Sequence, residues 1–159
     1  MPTYDTIKLD GNGRPIVGPM FPFVVKKRMT FAGGTTNDPG DYDGTGNPAT
    51  LFTVTGDVLV KVIGVCKTTL VGAATLEVGV TDATAALLAQ ITNATALVVN
   101  ECWNDATPTL AESISQTYNV IGGGLDIIQT VGTTNITAGV IDYYCFYQPL
   151  SDDGMVVAA

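Results

Sequence analysis

The sequence contains no histidine, and this absence excludes several kinds of site at once. Without an imidazole there is no Ser–His or Cys–His nucleophile pair and no histidine-ligated zinc. The chain also lacks a Cys-x-x-Cys pair, and its three cysteines stand far apart in strand-like apolar runs, at Cys66, Cys102 and Cys145. We interpret them as buried free thiols of a protein made in a reducing cytoplasm, with a disulfide as the alternative.

Charged residues are also scarce, at 14% of the chain, and they are unevenly spread. Residues 1–30 hold five lysines and arginines against two acids, whereas residues 31–159 hold two against thirteen. An acidic body repels nucleic acid, so we expect no nucleic-acid partner. The basic segment either docks on an acidic partner or a neighbouring copy, or serves as a solubilising charge cluster.

No apolar run is long enough to span a membrane, and the start of the chain does not resemble a signal peptide. We therefore expect no membrane partner. With few charges, the polar surface has to consist largely of Thr, Asn, Ser and Gly, which is common in β-rich proteins and in surfaces that are later covered.

The stretch 51–67, LFTVTGDVLVKVIGVCK, decides the fold class. Its even positions are all apolar or glycine, whereas its odd positions include threonines, Asp57 and two lysines, and this alternation predicts a half-buried strand. The run is long for one strand. We expect Gly56 and Asp57 to bulge it or to break it into two pieces in register.

Further strand-like runs, separated by turn signals, extend over most of the remaining chain. We predict strands at 28–33, 75–81, 82–90, 96–103 and 113–121, with one turn of helix as the alternative at 82–90, and a hairpin from 125–131 and 136–148. About eight strands predict an all-β, antiparallel, jelly-roll-like sandwich, with an open Greek-key sandwich as the alternative. The predicted organisation is an extended N-terminal arm at 1–30, a body at 31–150 and a tail at 151–159.

The arm contains four of the eight prolines, which keep it extended, and an apolar piece followed by three cations. A small sandwich has little room to bury such a piece, so we expect it to lie against another chain. The predicted contact residues are Met20, Phe21, Phe23, Lys26, Lys27 and Arg28.

The last long strand has bulky side chains on both faces. Tyr143 and Tyr147 share one face, and Tyr144 and Phe146 share the other. We expect this strand to be central or to be covered by a partner, with Tyr143, Tyr144 and Tyr147 as candidate subunit contacts. A sugar-binding aromatic platform is the alternative.

Two patterns of oxygen-bearing side chains are candidate sites for metal binding or catalysis. Asp41, Asp43 and Thr45 resemble the start of a calcium loop, but the twelfth position is Phe52 instead of glutamate, and we interpret the segment as a turn. Pairs of acids, such as Asp126 with Asp142 or Glu101 with Glu112, are the pattern that a glycosidase uses, but we interpret these acids as solvent-facing. We therefore expect no enzyme, no metal and no cofactor.

Several phrases, including GNPATLFTVTGDV and GLDIIQTVGTTNITAGVIDYYCFYQPLS, resemble small structural proteins of tailed bacteriophages, over about residues 33–155. The resemblance implies a virion protein, most specifically a head decoration or cement protein on the capsid surface. Proteins of that kind commonly form trimers and clamp the major capsid protein. The alternatives are a head fibre base, a tail component, or a sugar- or calcium-binding β module.

Overall fold

The computed structural model describes residues 23–34, 37–111 and 117–159, and the chain there forms two five-stranded antiparallel sheets. Sheet I contains β1 (Phe23–Phe31), β3 (Val58–Val71), β6 (Cys102–Trp103), β7 (Asn119–Ile121) and β9 (Ala138–Pro149). Sheet II contains β2 (Ala49–Thr55), β4 (Thr75–Val80), β5 (Ala83–Ile91), β8 (Ile127–Gly132) and β10 (Met155–Ala158). A short 3-10 turn covers Ala94–Ala96, and the described residues contain no α-helix.

The strand order confirms the predicted jelly-roll-like sandwich. Sheet I runs β1-β9-β3, with β6 and β7 both paired to β3, and sheet II runs β10-β2-β8-β4-β5. The late strands β8 and β9 are inserted between early strands, so the chain repeatedly crosses from one sheet to the other. Such interleaving is typical of the double-sheet jelly roll, here with β10 added at one edge.

The break predicted at Gly56 is present, but it moves the chain between sheets. Gly56 has a φ of +62°, and a side chain there would collide with Asp153 and Ser151. β2 before the break belongs to sheet II and β3 after it belongs to sheet I, so the expectation of two pieces in register is wrong. The predicted hairpin of residues 125–148 is wrong for the same reason, because β8 and β9 lie in different sheets.

The predicted segment boundaries also shift. β1 begins at Phe23 and pairs along its whole length with β9, so residues 23–30 of the predicted arm are a sheet edge. The predicted tail supplies β10, which pairs with β2. The strand predicted at 96–103 is reduced to Cys102–Trp103, because Glu101 closes a turn on the backbone of Val98. The strand reading of 82–90 is confirmed by β5.

The core lies between the sheets and matches the alternation of β3. Val58, Val60 and Val62 are buried on one side of that strand, together with Leu76 and Val78 of β4. Side-chain hydrogen bonds also join the two sheets. Tyr143 Oη donates to Gln129 Oε1 over 2.7 Å, and Trp103 Nε1 donates to the carbonyl of Ala89 over 3.2 Å. Of the three free cysteines, Cys66 and Cys145 are buried and Cys102 is partly exposed.

Candidate interaction surface

The outward side of sheet I carries three rows of side chains that run across β1, β9 and β3. The rows are Val24–Phe146–Lys61, Lys26–Tyr144–Ile63 and Arg28–Asp142–Val65, as the strand pairing places them opposite one another. They alternate with residues that point into the core, such as Met29, Ile141 and Val62. We call these nine residues the basic face.

Apolar side chains occupy much of the basic face and extend beyond it. Phe146, Tyr144, Ile63 and Val65 are each partly exposed. Val24 is 53% exposed at one edge, and Val120, which pairs with Leu59, is 66% exposed at the other. The rest of the described chain leaves this patch uncovered. Contiguous apolar patches on a soluble protein commonly mark contact with a partner.

Asp142 lies in the middle of these side chains and is itself fully buried. Arg28 binds it in a two-pronged arrangement, with Nε at 2.7 Å from Oδ1 and Nη2 at 2.9 Å from Oδ2. Lys26 Nζ lies 2.7 Å from Oδ2 and 5.6 Å from the centre of the Tyr144 ring. Two cations thus share one carboxylate, which leaves the cluster with net positive charge.

The ion pair sets the titration of Asp142. The hydrogen bond from Arg28 lowers the pKa of the carboxyl from its ordinary 3.8 to about 2, although burial alone raises it; the hydrogen bond from Lys26 adds to the lowering. Asp142 is therefore ionised throughout the neutral range. The carboxylate holds two side chains of edge strand β1 against β9.

The positive charge of the described chain is confined to sheet I. All five described lysines and arginines lie on β1 or β3, whereas none lies on a strand of sheet II. The described acids, apart from Asp142 and Glu77, lie in loops and turns. The molecule consequently presents one basic, apolar face on an otherwise acidic body.

The predicted contact residues do not all lie on this face. Lys26 and Arg28 belong to it. Lys27 points to the other side of β1, where its Nζ donates to the carbonyl of Ala159. Phe23 also points to that side and stacks against Tyr147, with ring centres 5.4 Å apart. Met20 and Phe21 lie outside the described residues.

The tyrosines of β9 likewise lie on different sides of their strand. Tyr144 lies on the basic face and remains a candidate subunit contact. Tyr143 needs correction, because its side chain is fully buried between the sheets and bonded to Gln129, so no partner can reach it. Tyr147 is half-buried beside Phe23, and burial raises its pKa above the ordinary value.

Asp41 and Asp126, from the two oxygen-rich patterns, accept hydrogen bonds from backbone N–H groups. Asp41 is buried, with Oδ1 accepting from the backbone of Gly34 at 2.9 Å and Oδ2 from that of Asp38 at 3.2 Å, so both oxygens are occupied. Asp126 accepts from the backbone of Val54 in sheet II, whereas Asp142 lies in sheet I, so they form no catalytic pair. Among the described residues, no three His, Cys, Asp or Glu side chains are grouped to hold a metal ion.

The charge cluster around Asp142 is the feature that sequence reasoning missed. The sequence alone predicts a solvent-facing Asp142. It also predicts that Lys26, Lys27 and Arg28 contact a partner together. A signal was present, because an acid between Ile141 and Tyr143 in so apolar a strand requires a cation partner. Period-two alternation also divides the cations, placing Lys26 and Arg28 on one side of β1 and Lys27 on the other.

Comparison with family models, with curated proteins and with solved structures finds no match for this chain. No helix in the described part of the chain is long and apolar enough to cross a membrane.

Proposed function

We propose that this chain is a structural protein of a tailed-bacteriophage virion, and specifically a decoration protein on the outer surface of the capsid. The observation that carries the proposal is the basic face: an apolar, cation-bearing sheet surface on an acidic protein. The resemblance to phage structural proteins supplies the virion context, and the sandwich supplies a rigid platform for a large contact.

The occupant of the basic face is a second copy of the same chain. Two basic faces brought together by a two-fold axis would repel each other, which disfavours an isologous dimer. An acidic, loop-rich surface of a neighbouring copy has the complementary charge. Repetition of this head-to-tail contact around an axis closes a ring, and three copies is the expected number.

Attachment to the major capsid protein falls to the segment before β1. Phe21 and Met20 are the apolar anchors of this contact, and joining of the subunits lets several weak attachments act together. Deleting residues 1–22 should then leave a folded, self-associated body that binds particles poorly, because β1 itself starts at Phe23.

The test is the position and number of this chain in purified particles. Labelling with an antibody should place it on the outside of the head, and quantitative mass spectrometry should find it in copy numbers comparable with those of the major capsid protein. A few copies confined to the tail or to one vertex would support a tail component or a fibre base instead.

A further inference from the structure

A cleft of about 250 Å³ opens at the side of the sandwich between β3 and β5, and Lys61 is the lining residue that it shares with the basic face. One wall is formed by Val60 and Val62 of β3, and the opposite wall by the alanine-rich part of β5, including Ala86 and Ala89. A cleft of this size admits several waters or one small ring-sized ligand.

Hydrogen bonds from the other sheet fix the walls of the cleft. The indole of Trp103 donates to the carbonyl of Ala89 over 3.2 Å, and Asn119 Nδ2 donates to the carbonyl of Ala86 over 2.6 Å. These bonds occupy the edge carbonyls of β5 and tie it to β6 and β7. The cleft is therefore a fixed feature of the fold, because these hydrogen bonds hold its walls in place.

One polar atom of a cleft-lining residue lacks a partner. Asn104 Oδ1 is buried and has no hydrogen-bond partner within the described part of the chain. A buried acceptor left unsatisfied costs free energy, so it selects a ligand that brings an O–H or N–H donor. Lys61 and Asp105 also line the cleft, and their opposite charges give it no net preference for an ion.

From the cleft and its orphan acceptor we infer that this site binds a small, neutral, hydroxyl-bearing ligand, of the class of a single sugar ring. The hydroxyl groups supply the donor for Asn104, and the carbon face of the ring packs on the exposed alanine side chains of β5. This ligand site depends on Asn104 and the alanines of β5 and not on self-association through the basic face, so it stands or falls separately from the proposed function.

Trp103 provides the readout, because it is the only tryptophan of the chain and its indole is bonded to a cleft wall. We would titrate the full-length protein with the methyl α-glycosides of glucose, galactose and mannose, and with N-methylacetamide as a neutral N–H donor. We expect at least one glycoside to change the emission of Trp103 saturably, with a Kd on the order of 1 mM, as befits a ligand of this size.

Two variants and one control localise the signal. Asn104→Ala should weaken the binding at least tenfold, and Ala86→Leu, which fills the cleft from β5, should abolish it. Ala83→Leu is the matched control, because Ala83 is exposed on the same strand but does not line the cleft. Saturation-transfer NMR on the same ligands gives a second readout that does not depend on fluorescence.

The inference is overturned if no glycoside saturates either signal, or if only N-methylacetamide does. It is equally overturned if Ala86→Leu, folded by circular dichroism, still binds with the wild-type Kd. Loss of sugar binding in Ala86→Leu together with its retention in Ala83→Leu is the result that supports it.

Discussion

The two outer faces of the sandwich have the same architecture and different chemistry. The outer side of sheet II carries threonines such as Thr53, Thr55 and Thr130, with Glu77 as the acid of its described strands. The outer side of sheet I carries aromatic and branched apolar side chains with Lys26, Lys61 and Arg28. The jelly roll needs only the inward side of each sheet to be apolar, so folding explains the first face and not the second.

The charges sharpen this contrast. The strands of sheet II contain no described lysine or arginine, whereas those of sheet I contain all five. An acidic protein that gathers its cations beside exposed apolar groups has a surface suited to an acidic partner. The difference between the faces is the reason for proposing that the basic face is the side that a second copy covers.

The largest expected effect concerns the interior that both faces share. Val60→Asp should prevent folding, because Val60 is fully buried and an unpaired charge there costs several kcal/mol. Circular dichroism and thermal melting measure this, with Leu59→Asp on the outward side of the same strand as the milder comparison. A Val60→Asp protein that melts like the wild type would mean that the inward and outward sides of β3 have been exchanged.

The second effect separates the two faces directly. Val24→Glu with Val120→Glu should weaken self-association at least tenfold, about 1.4 kcal/mol, because both side chains border the basic face and are exposed. Met155→Glu with Val157→Glu is the matched pair on sheet II, where the side chains are 47% and 41% exposed. Sedimentation velocity across a dilution series measures both. Equal weakening by the two pairs would remove the distinction between the faces.

Lowering the pH provides a smaller test, which concerns the ion pair of the basic face. The pKa of Asp142 is lower in the folded protein, at about 2, than its ordinary 3.8, so the carboxylate stabilises the fold above about pH 4. This contribution is lost as the pH falls from about 4 to 2. We expect about 1 kcal/mol, because Arg28 and Lys26 are 57% and 46% exposed and water screens the pair.

Asp142→Asn should remove that part of the acid sensitivity, and Glu77→Gln on sheet II should not. Thermal melts of the two variants at pH 6 and pH 2.5 provide the comparison. If Asp142→Asn loses as much stability over this range as the wild type, the ion pair makes no contribution to the fold.

The mildest probe leaves the protein unchanged apart from a thiol label. Cys102, which is partly exposed beside Val65, should react with a thiol reagent in the native protein. Cys66 and Cys145 should react only after unfolding, because burial raises the pKa of their thiols to about 11 and about 12. Labelling of Cys102 should slow several-fold as concentration drives association, and no slowing would place the contact elsewhere.

Much of the fold follows from local pattern. The alternation of residues 58–66 and 75–80 predicts strands and the buried side of each correctly, apart from Val80, which is only partly buried. Sheet membership is not a local property. Gly56 ends a strand in either case, but only the pairing of β2 with β8 and of β3 with β9 shows that the chain crosses to the other sheet there.

The candidate surface was predicted in part for the same reason. Bulky residues on both sides of residues 141–147 predicted that this strand is central or covered by a partner, and β9 is central in sheet I, between β1 and β3. The sequence did not show that β1 pairs with this strand, which brings Arg28 and Lys26 onto Asp142 from more than one hundred residues away. Long-range pairing of this kind depends on topology, which periodicity does not encode.

The central claim is that the basic face is buried against a second copy, and photo-crosslinking tests it most directly. The photoreactive benzoylphenylalanine would replace Phe146 on the basic face or, in a matched protein, Thr53 on the outer side of sheet II. The account predicts covalent dimers and trimers from the purified Phe146 variant at micromolar concentration and only monomers from the Thr53 variant. Monomers from the Phe146 variant, or equal cross-linking from both positions, would contradict it.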